Sequence, residues 1–126
     1  MLFSNTIVTR VSALLLLLFF SMANATSPRD PYKFFFEQSL GDLTEELGIA
    51  RDENKKGMFV FFEMDECPFC HRMKQTVLNQ PDIQDYFRKN FHSISIDVEG
   101  DVEIVDFEGN ATTQKGFASK NRVRAT

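Results

Sequence analysis

The two cysteines of this chain are separated by two residues and follow an apolar segment. They lie in the stretch MFVFFEMDECPFCHRMK, which runs from Met58 to Lys74. A Cys-x-x-Cys pair can cycle between dithiol and disulfide, attach haem when a histidine follows, hold zinc together with other ligands, or form a structural disulfide. The function predicted for the chain therefore depends on what Cys67 and Cys70 do.

The redox interpretation is favoured by the position of the pair at the start of a predicted helix. Pro68 suits the first helical turn, because its missing N–H costs no hydrogen bond there. The unpaired backbone N–H groups of that turn stabilise a thiolate, so we expect Cys67 to be the exposed attacking nucleophile. Cys70 lies one turn into the helix and is expected to be the more buried resolving thiol. Pro68 and Phe69 fix the geometry of the turn.

Covalent haem is the first alternative. The segment CPFCH, from Cys67 to His71, matches the C-x-x-C-H attachment pattern. Met64, Met73 and His92 could supply a second axial ligand, but each is more simply explained as a core or surface residue. The position of the pair after a buried strand, and the lack of an obvious haem pocket, weigh against this alternative.

Zinc binding and a structural disulfide are the remaining alternatives. A zinc site would need Cys70 and His71 to point at one ion from adjacent helical positions, and the two histidines, His71 and His92, lack H-x₃₋₅-H spacing. A structural disulfide would close a very short loop and contribute only about 2 kcal/mol of loop-closure entropy. The sequence therefore favours a redox dithiol and predicts no metal and no cofactor.

Two predicted strands flank the cysteines in the sequence, and helices connect them. Met58 to Phe62 is continuously apolar, as in a strand covered on both faces. Ile94, Ile96 and Val98 alternate with polar residues, as in a second strand. The intervening helices make a βαβ crossover, in which the strands are parallel. In chain order, the predicted elements are a helix over 34–50, a strand over 58–62, helices over 67–78 and 82–90, a strand over 91–98, an extended piece over 104–107 and a helix over 113–121.

Two of the predicted helices rest on apolar stripes at helical spacing. The first helix places four apolar residues on one face, which we predict to be core: Phe36, Leu40, Leu43 and Leu47. In the helix that begins at the cysteines, one stripe consists of Phe69, Met73 and Val77.

The first 25 residues are typical of a cleavable secretion signal. Arg10 is followed by an apolar core over Val11 to Phe20 and by the small-x-small site Ala23-Asn24-Ala25. The apolar run is about half the roughly 20 residues that span a bilayer. We therefore predict export with cleavage after Ala25, a loose lead over 26–33 and one domain over 34–126.

The charge of the predicted mature chain is acidic. Loss of Arg10 leaves 13 basic and 18 acidic residues, a formal charge of −5. Such a balance argues against a nucleic-acid binder. In an exported chain the thiols meet an oxidising compartment, which suits a pair that cycles.

The segments GMFVFFEMDECPFCHRMK, SISIDVEG and RVRAT together resemble the thioredoxin superfamily, most closely its periplasmic SoxW-like thioredoxin-related proteins. The likeness extends from about Phe34 to Thr126. It implies a thioredoxin-like α/β fold and thiol–disulfide exchange in the periplasm, with Cys67 attacking a protein disulfide and Cys70 resolving the mixed disulfide. The implied partners are protein thiols and disulfides and a membrane or periplasmic redox protein, and we expect a monomer.

The active-site stretch departs from the common thioredoxin sequence Trp-Cys-Gly-Pro-Cys. Here the corresponding residues are Glu66, Cys67, Pro68, Phe69 and Cys70. Glu66 opposes a thiolate on its neighbour Cys67 through like charge.

Other residues near the pair also differ from that pattern or could tune it. The buried acid that thioredoxins place six residues before the first cysteine falls at Phe61, which cannot transfer a proton. Glu63 or Asp65 could replace it as general base toward Cys70, although each is equally explained as a loop acid. His71, when protonated, favours the thiolate.

The end of the sequence bears on how much of the fold is expected. In the superfamily, a segment like VRAT precedes a cis-proline that holds the substrate backbone, then a β-hairpin and a final helix. The resemblance therefore implies a substrate-binding position for Ala125 and Thr126. We expect an incomplete thioredoxin-like domain, a βαβ half with an N-terminal helix and without the C-terminal hairpin and helix. A compact domain with fewer strands, or a non-catalytic thioredoxin-like interaction domain, is the alternative.

Overall fold

The computed structural model of the chain describes residues 26–123, which contain five helices and four strands. The helices are α1 (Pro31–Phe34), α2 (Leu43–Asp52), α3 (Pro68–Thr76), α4 (Pro81–Asn90) and α5 (Gln114–Lys120). The strands are β1 (Gly57–Glu63), β2 (Phe91–Asp97), β3 (Glu103–Val105) and β4 (Ala111–Thr113). This arrangement confirms the predicted α/β class.

The central pair of strands, β1 and β2, is parallel. Its register runs from Gly57 opposite Phe91 to Glu63 opposite Asp97. Helices α3 and α4 connect the strands, so the predicted βαβ crossover is confirmed. In the described part of the chain, β2 is the one strand that pairs with β1, and the other edge of β1 carries no strand.

Both faces of β1 pack against apolar residues, as its continuous apolar sequence predicted. On one face, Met58, Val60 and Phe62 contact a buried cluster that consists of Leu43, Ile94, Ile96, Ile104 and Phe117. On the other face, Phe59 and Phe61 contact a second cluster that consists of Phe35, Phe36 and Leu78. Burial of these side chains supplies the main favourable free energy of folding. The strand that leads to the cysteines is therefore fixed from both sides.

Strands β3 and β4 form a small antiparallel hairpin after β2. The hairpin turns over Asp106 to Asn110, where the Asp106 carboxylate accepts the N–H groups of Glu108 and Asn110 at 2.9 Å each. The pKa of Asp106 is held well below its usual range, mainly by a hydrogen bond from Lys120 of α5 and also by the hydrogen bond from the Asn110 N–H. The extended piece and the helix predicted for this region are confirmed, whereas β4 between them was not predicted.

The first predicted helix begins later than its sequence indicated. Helix α2 starts at Leu43, and Leu40, which was predicted to be core, is 83% exposed. Gly41 has a φ of +88°, a left-handed conformation that interrupts a helix, and Asp42 then caps α2 by accepting the N–H groups of Thr44 and Glu45. Residues 36–40 have no regular secondary structure, and the Glu37 N–H donates to the Ser93 carbonyl of β2 at 2.7 Å.

The lead over 26–33, predicted to be loose, is held against α4. The Arg29 guanidinium donates to Gln84 at 2.8 Å and to Asp85 at 2.6 Å. The Arg29 N–H donates to the Asn79 carbonyl at 2.8 Å, and α1 follows at Pro31. These contacts are polar and join residues about fifty positions apart. Local apolar periodicity in the sequence therefore could not predict them.

Two of the sequence predictions lie outside the described residues. They are the secretion signal over 1–25 and the substrate-binding pair Ala125 and Thr126. Within 26–123, no helix combines the length and the apolar character needed to cross a bilayer.

Candidate redox site

Cys67 and Cys70 form a disulfide at the start of α3. Their Cα atoms lie 5.2 Å apart. Cys67 is the N-cap residue of the helix, and its Sγ atom accepts the Cys70 N–H at 3.1 Å. Pro68 occupies the first turn, as predicted. The pair is therefore placed where backbone N–H groups can stabilise negative charge on the Cys67 sulfur.

The exposure of the two cysteines is the reverse of the sequence prediction. Cys67 is only 2% exposed, whereas Cys70 is partly exposed. The prediction was wrong because it considered the helix alone. In the folded chain, the face of α3 that carries Cys67 turns inward, so the cap residue is buried in the disulfide form.

The buried face of α3 is not its apolar stripe. The buried residues here are the N-cap Cys67, Lys74 within the helix and Leu78 just after it. The stripe identified from the sequence lies on an uncovered flank: Phe69 is 71% exposed, Met73 42% and Val77 39%. Pro68 and Phe69, the residues between the cysteines, are accordingly available to a substrate.

Glu63, the last residue of β1, forms an ion pair with Lys74 of α3. Only 13% of the Glu63 side chain and 11% of the Lys74 side chain are exposed. Lys74 Nζ also donates to the Tyr32 hydroxyl at 2.5 Å. Burial by itself lowers the pKa of Lys74, but the hydrogen bonds to Glu63 and Tyr32 outweigh it and hold the pKa above its usual value. Lys74 is therefore a buried cation at neutral pH.

Sequence reasoning found Glu63 but missed Lys74 and Tyr32. The available signal for Lys74 was its position four residues after Cys70 on the face that carries the cysteines. Tyr32 gave no such signal, because its contact with Lys74 joins residues 42 positions apart.

The other predicted tuning residues are exposed. His71 Nε2 lies 3.0 Å from the Asp65 carbonyl oxygen. Glu66 and Asp65 are on the surface of the turn before Cys67. Their carboxylates are screened by solvent, which weakens their effect on the cysteines.

A polar cavity of about 200 Å³ opens beside the ion pair. Its wall includes Glu63 and Asp97, the residues that end β1 and β2. His71, Lys74 and Tyr32 also line it. The end of the parallel sheet that adjoins the disulfide is therefore polar and open to water.

The two histidines have different neighbours. His92 is buried and its Nε2 atom lies 3.4 Å from the Glu46 carboxylate of α2, whereas His71 contacts the turn at Asp65. Among residues 26–123, no group of three or more histidine, cysteine, aspartate or glutamate side chains is placed to hold a metal ion.

A family model described as the thioredoxin-like domain matches residues 43–126. Comparison with curated proteins and with solved structures finds no significant match. The matched segment is more than half of the chain. It includes the parallel strands β1 and β2 and the disulfide at the start of α3. On this basis the chain belongs to the thioredoxin-like domain family.

Proposed function

We propose that this protein is a periplasmic thiol–disulfide oxidoreductase that acts on protein disulfides through Cys67 and Cys70. The observation that carries the proposal is the Cys67–Cys70 disulfide at the N-terminus of α3 in a thioredoxin-like domain. A disulfide that closes so short a loop adds little to folding stability, so a redox role accounts for it better than a structural role.

In the reducing direction, the cycle has two exchange steps. The Cys67 thiolate attacks one sulfur of a substrate disulfide, a mixed disulfide forms, and one substrate sulfur leaves as a thiolate. The Cys70 thiolate then attacks Cys67 Sγ and releases the second substrate thiolate. Two electrons pass to the substrate, and the chain is left with the disulfide seen here. The oxidising direction is the same sequence in reverse.

The helix start favours Cys67 as the nucleophile despite its burial. Its Sγ atom is the one that accepts a backbone N–H, and a hydrogen bond to the charged form favours that form. Because Cys67 is buried in the disulfide form, its sulfur has to become accessible when the bond is reduced. Exposed Phe69, between the two cysteines, offers an apolar contact for the polypeptide that carries the substrate disulfide.

The cellular setting of the proposal comes from the sequence. The predicted signal over 1–25 exports the chain, and a membrane or periplasmic redox protein returns the pair to its starting state. Ala125 and Thr126 are proposed to contact substrate, as their resemblance to the superfamily implies.

Single serine variants test the assignment of the two cysteines. We expect Cys67→Ser to lose disulfide exchange and Cys70→Ser to accumulate mixed disulfides with partner proteins, because resolution is blocked. The readout is non-reducing electrophoresis with and without added reductant. A Cys67→Ser protein that still traps partners would transfer the nucleophile's role to Cys70. If neither variant traps a partner and wild type reduces no protein disulfide, the non-catalytic interaction domain replaces the enzyme.

A further inference from the structure

The ion pair between Glu63 and Lys74 is placed to act on the dithiol. Lys74 lies four residues after Cys70 and seven after Cys67, so the three side chains project from the same side of α3. In a helix, positions four residues apart are about 5–6 Å apart at Cβ. Cys67 and Lys74 are both buried on this side. A charge at Lys74 therefore lies on the side of the helix that carries the sulfurs, on a side chain that is itself largely shielded from water.

In the observed state the pair is electrically balanced. The Glu63 carboxylate offsets the Lys74 ammonium, and the Tyr32 hydroxyl from α1 satisfies a further N–H of that ammonium. Tyr32 is fixed because α1 follows the segment that Arg29 ties to α4. The lead before the domain thus contributes one of the groups that hold the cation.

Other titratable groups face the same cavity from each neighbouring element. Asp97 comes from the end of β2, and Asp65 and His71 come from either side of the disulfide. Asp65 and His71 are exposed to solvent. Lys74 is the buried charged residue of this wall, whereas Glu63 and Asp97 are half-buried. The charge balance at Lys74 is therefore the one we expect to bear on a thiolate nearby.

We propose that Lys74, held by Glu63 and Tyr32, is a positioning residue that sets how readily the Cys67–Cys70 dithiol ionises. The inference rests on the proposed redox function and deepens it. Glu63 acts here by neutralising Lys74 rather than by accepting a proton from Cys70. When the carboxylate is removed, the ammonium is left uncompensated and attracts a thiolate. When the ammonium is removed, the Glu63 carboxylate is left uncompensated and repels a thiolate.

The test compares variants with opposite expected effects. In reduced protein, Glu63→Gln should lower the pH midpoint at which the first thiol ionises by about one unit, and Lys74→Met should raise it. Thiolate formation is followed by ultraviolet absorbance during a pH titration. Since thiolate formation stabilises the reduced state, Glu63→Gln should also shift the dithiol-to-disulfide ratio in a fixed glutathione buffer toward dithiol, by up to about tenfold.

A matched control separates the local effect from a change in net charge. Glu45→Gln removes one exposed carboxylate from α2, and we expect its midpoint to equal that of wild type. Equal midpoints in Glu63→Gln and Glu45→Gln, or a rise in Glu63→Gln, would overturn the inference. If Lys74→Met does not fold, the comparison of the two glutamine variants decides alone. Wild type that fails to cycle between dithiol and disulfide would instead refute the proposed function.

Discussion

Lys74 shows how a charged residue comes to lie on a buried helix face. Lysine is rarely buried without a partner, so the sequence of α3 predicts that the Lys74 side chain is exposed. The same reasoning predicts that the apolar side chains of Phe69 and Met73 are buried. The structure reverses both, because Glu63 and Tyr32 satisfy the ammonium group. Those partners come from β1 and α1, and a pattern read within one helix cannot include them.

The Tyr32 hydroxyl is expected to stabilise the folded chain through Lys74. Tyr32→Phe keeps the ring and removes one hydrogen-bond partner of a buried ammonium, so the free energy of unfolding should fall by about 1 kcal/mol. Urea unfolding at neutral pH measures the loss. Tyr86→Phe is the matched control, since Tyr86 is 53% exposed on α4. Equal losses in the two variants would contradict a specific role for the Tyr32 hydroxyl.

At the level of elements, the start of α2 depends on two adjacent residues. Gly41 takes a left-handed conformation that a helix does not continue through, and Asp42 caps the helix. The apolar spacing from Phe36 to Leu47 predicted one continuous helix because it ignores the backbone conformation at Gly41. In contrast, β1, β2, α3 and α4 were predicted nearly to their bounds, since their apolar or turn residues are local and uninterrupted.

Removing the cap of α2 should destabilise the chain. We expect Asp42→Ala to lower the melting temperature by about 5 °C, because the N–H groups of Thr44 and Glu45 lose their acceptor. Asp42→Asn retains an acceptor oxygen and should lose much less. Thermal unfolding followed by circular dichroism distinguishes them. Equal melting temperatures for Asp42→Ala and wild type would show that the cap contributes nothing.

The same carboxylate gives a pH dependence with a defined sign. Hydrogen bonds from the Thr44 hydroxyl and the Glu45 N–H hold the pKa of Asp42 below its usual value of 3.8. Because the folded pKa is lowered, the stabilisation is fully present above the unfolded value and is lost as pH falls through the folded value. The advantage of wild type over Asp42→Asn should therefore shrink below about pH 4. A difference in unfolding free energy that stays constant with pH would contradict this account.

At the scale of the whole molecule, phenylalanine has two separate uses. Phe35 is fully buried and packs edge-on against Phe36 and Phe59, whereas Phe69 is 71% exposed beside the disulfide. The sequence could not assign these uses, because both residues fall in predicted helices. Their roles follow only from which face of each segment meets the β1–β2 sheet.

Two alanine variants separate folding from function. Phe35→Ala leaves a cavity in a small core and should cost about 3–5 kcal/mol of unfolding free energy, enough to unfold much of a domain this size. Phe69→Ala should leave the unfolding free energy within about 0.5 kcal/mol of wild type and slow exchange with protein disulfides. Chemical unfolding and an insulin-type disulfide reduction assay report the two effects. A stability loss in Phe69→Ala as large as in Phe35→Ala would contradict the packing described.

The most direct test of the redox pair is thiol alkylation across glutathione redox buffers, read by intact mass on the exported protein. Cys67 and Cys70 should become labelled together, as a two-label species that appears around one potential. Labelling of a single cysteine, labelling independent of the buffer, or a mass increased by a covalently attached haem would contradict it.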